Sequence, residues 1–419
     1  MDPHRLRVLI LEPHASGHHG PYLELMARGL ASRGLCLTIV TLPESMKHPS
    51  MIAIAHSAEI RQQDAPQLIP AHSPLALHNT KRGIGGLVAR ESAYWRMFRT
   101  WYRVYAHRFR PDVVFLPYLD YCLYAIGLLG SPFGDCAWVG LAMRPSFHYR
   151  RVGVIAPRPA LASVKEALFF RLLRNTHLRC LLTIDEALSE YLAGWPALKR
   201  KTAFFPEPVE LRDLPDPVDA KQRFGVPSDR RLILVYGAIT SRKGVLELLQ
   251  ALADPVFPSS VDVLLAGEIS PEVHEALASS VTAPLVAQGR VRPMDRFIES
   301  EEEPTLFAAA DMVWLGYRGH YTPSGVLAQA ASAGRPVLAC EEGVIGWQAK
   351  RHNLGEVFDP ANPVALIAAV RALLRHNGAR AAEGVAGPSP VGGKMSHALD
   401  VLDRALAGYV GYERGVSSR

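Results

Sequence analysis

The sequence predicts an α/β protein made of two doubly wound parallel sheets, one after the other along the chain. Three observations carry this. At 419 residues the chain exceeds one ordinary core and suits two domains of roughly 200 residues each. Apolar runs of strand length alternate with helical patterns in both halves. Between the halves a Pro-rich passage, FFPEPVELRDLPDPVD (204–219), breaks all periodicity and marks a linker.

In the first half, RVLILEP (7–13) reads as a strand, and the Gly/His loop ASGHHGPY leads from it into the helix LELMARGLASRG. Further strands are CLTIVTLP (36–43), PDVVFLPY (111–118), CAWVGLAM (136–143) and LRCLLTIDE (178–186). After the linker come RLILVYG (231–237), the helix VLELLQALAD, VDVLLAGE (261–268), the helix PEVHEALASS and VRPMD. EEPTLFAAAD then reads as a helix and MVWLGY (312–317) as a strand. GHYTPSGVLAQAASAGRPVLA (319–339) supplies another helix and strand, and two helices, PVALIAAVRALLRHN (363–377) and HALDVLDRALAGYV, close the pattern. In such sheets the ligand crevice lies at the carboxyl ends of the strands.

Composition narrows the class. With 48% hydrophobic and 21% charged residues the chain is globular, not disordered. The longest apolar runs, such as VDVLLAG, are strand-sized, so no transmembrane helix is expected. The start MDPHRLRVLILEP enters a strand without a signal-peptide pattern. Five scattered cysteines with no C-x-x-C pair fit a reducing cytosol and neither a disulfide framework nor a zinc site. The expected location is cytoplasmic. A net charge of +6 suits an anionic ligand, a nucleic acid or an acidic membrane surface and does not choose among them.

Two stretches of the second half are shaped for an anion. In YGAITSRKGVLELLQAL (236–252), Arg242 and Lys243 follow a Gly turn and precede a helix. There point charges add to free backbone N–H groups, which suits a phosphate or diphosphate. The spacing is not that of a Walker A loop. In 319–339, Thr322 or Ser324 can cap a helix whose start at Gly325 lets a ligand approach the backbone. The plain alternatives are a solvated turn with two surface cations and an ordinary N-cap with small packing residues. Two anion-shaped features at matching strand ends favour a ligand.

In order and spacing, strand–Gly turn–RKG–helix, VLLAGE, LFAAADMVWLGY and SGVLAQAASAGRPVLA resemble the C-terminal domain of glycosyltransferase family 4 enzymes of the GT-B fold. The first half is similar too, with its Gly-rich first loop, ARGLASRG and TIVTLP, and FFPEPVEL sits at the family's interdomain position. The resemblance implies two Rossmann-like domains facing across a cleft. Residues 1–206 would form the acceptor-side domain, 207–219 the linker and 220–395 the nucleotide-sugar-binding domain. Residues 396–419 would be a C-terminal helix and tail, with the option of crossing back to the first domain. It also implies a retaining, metal-independent hexosyl transfer in carbohydrate biosynthesis, with a UDP- or GDP-linked sugar as co-substrate and no further cofactor. The donor would be bound by Gly237, Arg242, Lys243, Tyr321, Thr322, Ser324, Gly325, Val326 and Gln329. The chain departs from the family at Gly237-Ala238, where a Gly-Arg pair is usual, and at Tyr321 and Gln329, which stand where the family has a Glu-x7-Glu pair. In the family those acids reach the transferred sugar and the ribose. A neutral amide at 329 can still hydrogen-bond a hydroxyl.

In the first half the candidate catalytic residues are Arg144, His148 and Asp120. Arg144 offers a planar fork for phosphate, with a simple basic loop as the alternative, and Asp120 offers an acceptor-side carboxylate. Gly17, His18, His19 and Gly20 form the candidate acceptor loop, against ordinary solvated loop histidines. In AYWRMFRTWYRVYAHRFR (93–110), Tyr94, Phe98, Trp101, Tyr105 and Phe109 share one helical face. Arg96, Arg99, Arg103, His107 and Arg110 share the other. Either the aromatic face covers the sheet and the arginines are merely wet, or the helix makes a peripheral contact with an anionic membrane, which would suit a lipid-linked acceptor at the inner face. The expected function is therefore a nucleotide-sugar glycosyltransferase with an unidentified acceptor. The alternative is a GT-B-shaped nucleotide or sugar-nucleotide binding protein that has lost catalysis. A nucleic-acid binder has only net charge behind it and no recognised module.

Overall fold

A computed structural model describes residues 5–17, 19–61, 68–73, 84–209, 214–383 and 391–408. The chain divides into two compact units. Unit 1 takes Met1–His148, Arg158–Phe205 and Ser396–Arg419, and unit 2 takes Tyr149–Pro157 and Pro206–Met395. The stretch 207–219 holds a short strand, Glu207–Val209, and the helix Pro217–Arg223, with 210–213 outside the described residues.

Among its described residues unit 1 carries seven parallel strands: β1 (Arg7–Leu11), β2 (Cys36–Thr41), β3 (Leu68–Pro70), β4 (Val113–Leu116), β5 (Trp138–Ala142), β6 (Leu178–Thr183) and β7 (Thr202–Phe204). Their order is β3-β2-β1-β4-β5-β6-β7, so the direction of winding reverses between β1 and β4. Helices cover both faces of such a sheet, so its central strands read as unbroken apolar runs. VVFL in β4 and WVGLA in β5 are buried at every position.

The helix Ile84–Phe109 starts well before residue 93. On it Tyr94, Phe98 and Trp101 are buried and Tyr105 and Phe109 half-buried, while Arg96, Arg99, Arg103, His107 and Arg110 are exposed. Tyr94 stacks on Tyr121 at a ring separation of 4.5 Å, so the aromatic face does serve as a cover for the β4 side of the sheet. A second cover comes from far along the chain. In the helix Met395–Ala407, Ala398, Leu402 and Leu406 join the core formed by Val8, Leu23 and Met26. Gly29 admits it closely, since a methyl group there would lie 2.3 Å from Leu399. Arg33 and Asp400 close the contact at 2.8 Å.

Unit 2 opens with β8 (Glu207–Val209) and continues with β9 (Arg231–Tyr236), β10 (Val261–Ala266), β11 (Val291–Met294), β12 (Met312–Leu315), β13 (Val337–Cys340), β14 (Gly355–Phe358) and β15 (Gly392–Lys394). Six of these form a parallel sheet in the order β11-β10-β9-β12-β13-β14, and β8 pairs in parallel with β15. Here the winding reverses between β9 and β12. Separate apolar clusters fill the two faces, one around Val263, Trp314 and Val370, the other around Leu234, Leu315 and Ala339.

Candidate functional site

The carboxyl ends of β9 and β12 bring two loops together at the reversal of unit 2, the place where open α/β sheets bind ligands. Gly237 follows β9 with φ +89°. A β-carbon there would sit 3.1 Å from Lys243 Nζ, so glycine makes room for the lysine. The turn Ser241–Lys243 ends on Gly244, which is left-handed at φ +67° and would drive a β-carbon to 2.0 Å from the Gly316 carbonyl. The β9 turn is thereby pressed onto the β12 loop. Trp314 Nε1 donates to the Lys243 carbonyl at 2.7 Å, and Arg318 N donates to the Arg242 carbonyl at 2.8 Å.

Lys243 is held in this corner. Its ammonium donates to the Tyr236 carbonyl and lies 5.2 Å from the centre of the Tyr317 ring, a cation–π contact. Burial, with the positive Arg242 beside it, pulls its pKa down to about 8. Arg242 itself is exposed.

From β12 the chain runs through Tyr317 and His320 to the helix Gly325–Ser332. Ser324 takes the N-cap position in extended backbone but its hydroxyl caps no backbone N–H. It bonds the Tyr317 hydroxyl instead, while Thr322 Oγ1 lies 3.3 Å from His320 Nε2. The expectation that Thr322 or Ser324 caps this helix is thus corrected. A helix start without a side-chain cap keeps the orphan N–H groups of Gly325 and Val326 for an outside acceptor. Burial lowers the His320 pKa and raises that of Tyr317. One carboxylate also comes close: a methyl group on Gly325 would lie 3.2 Å from Glu207 Oε1.

The two positions that replace the acidic pair are engaged within the protein. Gln329 Nε2 donates to Glu303 Oε2 at 2.9 Å, and Glu303 Oε1 accepts from the Tyr236 hydroxyl at 2.6 Å. Tyr321 hydrogen-bonds Glu342, and its carbonyl accepts from Val344 N at 3.1 Å. Sequence reading missed Tyr317, His320, Glu303 and Glu207. Tyr317 ends MVWLGY and His320 stands in 319–339, but only the fold shows what they touch.

At the reversal of unit 1, the ends of β1, β4 and β5 gather a different set. Glu12 is buried and accepts from the Tyr121 hydroxyl at 3.0 Å and from His14 N at 3.2 Å. His19 Nδ1 lies 3.6 Å from Glu12 and 3.3 Å from the Tyr121 hydroxyl. His14 Nε2 lies 2.8 Å from the Tyr94 hydroxyl. Burial and Glu12 together push the Tyr121 pKa upward, and Tyr94 is pushed up to about 12. Gly17 turns the loop at φ +63°, and Gly20 N closes it on the Ala15 carbonyl at 3.0 Å. His18 lies outside the described residues. None of Glu12, Tyr94 and Tyr121 was foreseen as part of this loop's surroundings.

The three residues expected to be catalytic have separate fates. Arg144 is exposed and stacks over Tyr118 at 5.4 Å. Asp120 accepts backbone bonds from Met143 at 2.8 Å and Arg144 at 2.9 Å, so its carboxylate fixes the β5 loop rather than facing outward. Burial raises its pKa against those two donors. His148 is corrected outright. It is fully buried, bonded to the equally buried Asp185 at 3.1 Å and stacked on Tyr191. Asp185 in turn caps the helix Glu186–Ala193 through Ala187 N. No surface of His148 remains to meet a substrate, so its role is in the core.

These two sheets, each all-parallel with one reversal of winding, are the two Rossmann-like sheets of the GT-B architecture. The family model described as Glycosyl transferases group 1 matches residues 230–376, the stretch that holds the Lys243 corner and the Gly325 helix start. No curated protein sequence matches the chain. Sucrose-phosphate synthase of Thermosynechococcus elongatus superposes with a TM-score of 0.62 at 17% identity, over 96% of this chain and 97% of that one. HepE of Anabaena, solved with UDP and glucose, gives 0.57 at 12% identity over 96% and 100%. A putative UDP-N-acetylglucosamine 2-epimerase of Listeria monocytogenes gives 0.58 at 13% over 97% and 96%. At these identities the likeness is one of fold.

Proposed function

We propose that the chain is a glycosyltransferase that takes its sugar from a nucleoside diphosphate donor held in unit 2. The observation that carries the reading is the Lys243 corner, a desolvated ammonium at the sheet reversal beside a helix start without a side-chain cap, inside the matched segment. When the bond from sugar to diphosphate breaks, negative charge grows on the leaving phosphate. A fixed cation out of water stabilises that charge more than an exposed one does. In this reading Lys243, with Arg242 and the Gly325 and Val326 N–H groups, does this work. The UDP in the HepE structure makes UDP the first donor nucleotide to try, with GDP next. Retention of configuration and independence from metal belong to the same proposal. The acceptor we assign to the strand ends of unit 1, where Arg144 and the Gly17–Gly20 loop lie, and we place the protein in the cytoplasm, peripheral to an anionic membrane.

A second reading is a nucleotide or sugar-nucleotide binding protein without transfer. Its support is specific. Gln329 and Tyr321 carry no carboxylate, and their side chains are tied to Glu303 and Glu342. A shared fold also hosts more than one chemistry, as the epimerase illustrates.

The experiment has two stages. UDP, GDP and ADP are titrated while thermal stability is followed, since a ligand of the native state raises it. The reading expects a rise with at least one of them, and no rise with any of the three sinks both readings. UDP-sugars are then incubated with the protein in EDTA, and released nucleotide is measured. Turnover supports transfer, and binding without release of nucleotide under any acceptor mixture favours the second reading.

A further inference from the structure

We propose that unit 1 docks on an anionic lipid surface through one continuous face, in which the arginines of the helix Ile84–Phe109 flank a leucine pair, Leu128 and Leu129, that enters the headgroup layer. The inference gives the peripheral reading above its surface, and it stands independently of the donor reading.

The charge is one-sided. Between residues 85 and 110 the sequence has six arginines and a single acid, Glu91. That acid is buried, where it accepts Tyr124 N at 2.8 Å and Ala125 N at 2.9 Å, so it does not offset the outer face. Arg96, Arg99 and Arg103 are exposed along one stripe, and His107 and Arg110 continue it. One exposed acid stands near the stripe, Asp135, which lies 3.4 Å from His177, so the arginines outnumber it without cancelling it.

The apolar part lies against this stripe. Arg99 stacks over Trp95 at 5.1 Å, and Trp95 Nε1 donates to the Gly130 carbonyl at 2.8 Å. Gly130 ends the helix Leu123–Leu129, whose last two residues are 53% and 50% exposed. Val88 and Val104 on the long helix are exposed to 53% and 60% among the arginines. A third helix, Ala162–Leu173, is packed tightly on Leu123–Leu129, since a methyl group on Gly127 would lie 2.3 Å from the Leu168 carbonyl. It adds an exposed Val164, and its Lys165 lies 5.8 Å from the Tyr124 ring.

Cations alone would serve a nucleic acid as well as a lipid. Two adjacent leucines at a helix end, half out of the protein and flanked by arginine, fit a surface that has both anionic headgroups and accessible hydrocarbon. Among the described residues no helix is long and apolar enough to cross a membrane, so the contact is one of lying on the surface.

The test is flotation of the full chain with phosphatidylcholine vesicles, with and without phosphatidylglycerol. Binding is expected only with the anionic lipid, and equal recovery on both vesicles, or on neither, overturns the proposal. Changing Arg96, Arg99 and Arg103 to Gln lowers partitioning about 100-fold, from about five-fold per basic residue near a charged surface. Leu128→Ser with Leu129→Ser lowers it about ten-fold at unchanged charge. Unchanged binding of the arginine variant shows the face to be wrong, and unchanged binding of the serine variant removes the leucine pair from it. Duplex DNA or RNA bound more tightly than the vesicles, with no effect of the serines, would assign the stripe to nucleic acid instead. Should a variant fail to fold, hydrogen exchange on the unmodified chain decides. Anionic vesicles must protect 85–110 and 123–130, and protection elsewhere alone overturns the assignment.

Discussion

At the ends of β9 and β12 a lysine, an arginine and a helix start without a side-chain cap come together, whereas at the ends of β1 and β4 the polar groups have found each other. Both corners come from the same topology, a parallel sheet whose winding reverses at its middle. In unit 2 the Lys243 ammonium meets, among the described residues, a carbonyl and a ring face. In unit 1 Glu12, His14, His19, Tyr94 and Tyr121 form a connected network, and Asp120 and Glu91 are consumed by backbone N–H groups. The fold thus supplies the place and the side chains decide its use. Unit 2 leaves an ammonium beside a helix start that no side chain caps, and unit 1 uses its acids to fix its own loops.

If that contrast is right, the largest effect is on stability, at a residue once expected to be catalytic. His148→Leu leaves the Asp185 carboxylate facing an apolar group in the core, at a cost of about 3–5 kcal/mol. Thermal or urea unfolding measures it, and a neutral result would mean that His148 is not structural. Next comes Lys243→Ala, which removes a charge-assisted bond to the diphosphate and lowers nucleotide affinity about 100-fold. Unchanged calorimetric affinity would place the site elsewhere.

The third prediction concerns pH. Burial holds the Glu91 pKa at about 7 against an ordinary 4.5, so the folded chain binds this proton more tightly than the unfolded one. Its contribution to stability is greatest below 4.5 and falls as pH rises through about 7, by on the order of 1–3 kcal/mol. Glu91→Gln should flatten that slope, and an unaltered profile would exclude Glu91 as its source. A smaller effect tests how Lys243 is held. With its pKa near 8, nucleotide affinity should decline as pH rises past that value. The Tyr317 ring favours the charged lysine by roughly 1 kcal/mol. Tyr317→Leu therefore moves the midpoint to lower pH, while Tyr317→Phe keeps the ring and the midpoint. Equal behaviour of the two variants would deny the ring that role. The smallest expected change is a gain: Glu207→Gln removes a negative charge beside the helix start and raises diphosphate affinity by about two- to five-fold.

The sequence carried the central strands because parallel strands buried on both faces are unbroken apolar runs, as in VVFL and VDVLLA. It did not carry β3, β7 or β14, since LIP, TAF and GEVF are three- or four-residue strands with little pattern to read. Lys243 was legible because a cation after a Gly turn is a local signal. Tyr317 was not, because its importance lies in touching Lys243 from one loop and Ser324 from another. His148 was misread for a related reason. A histidine among arginines in sequence looks like a loop residue, and only the packing of Phe147, Tyr191 and Asp185 shows it to be enclosed.

The helix Met395–Ala407 has a consequence for how the molecule is made. A ribosome releases the strands of unit 1 before those of unit 2, yet Leu402 and Leu406, which complete the core over Val8 and Leu23, emerge only after all of unit 2. Unit 2 is whole once β15 is free, so of these two units the one begun earlier is finished later. Until then the flank of Gly29 presents bare hydrocarbon to the cell, a window in which a nascent chain is exposed to chaperones and to aggregation.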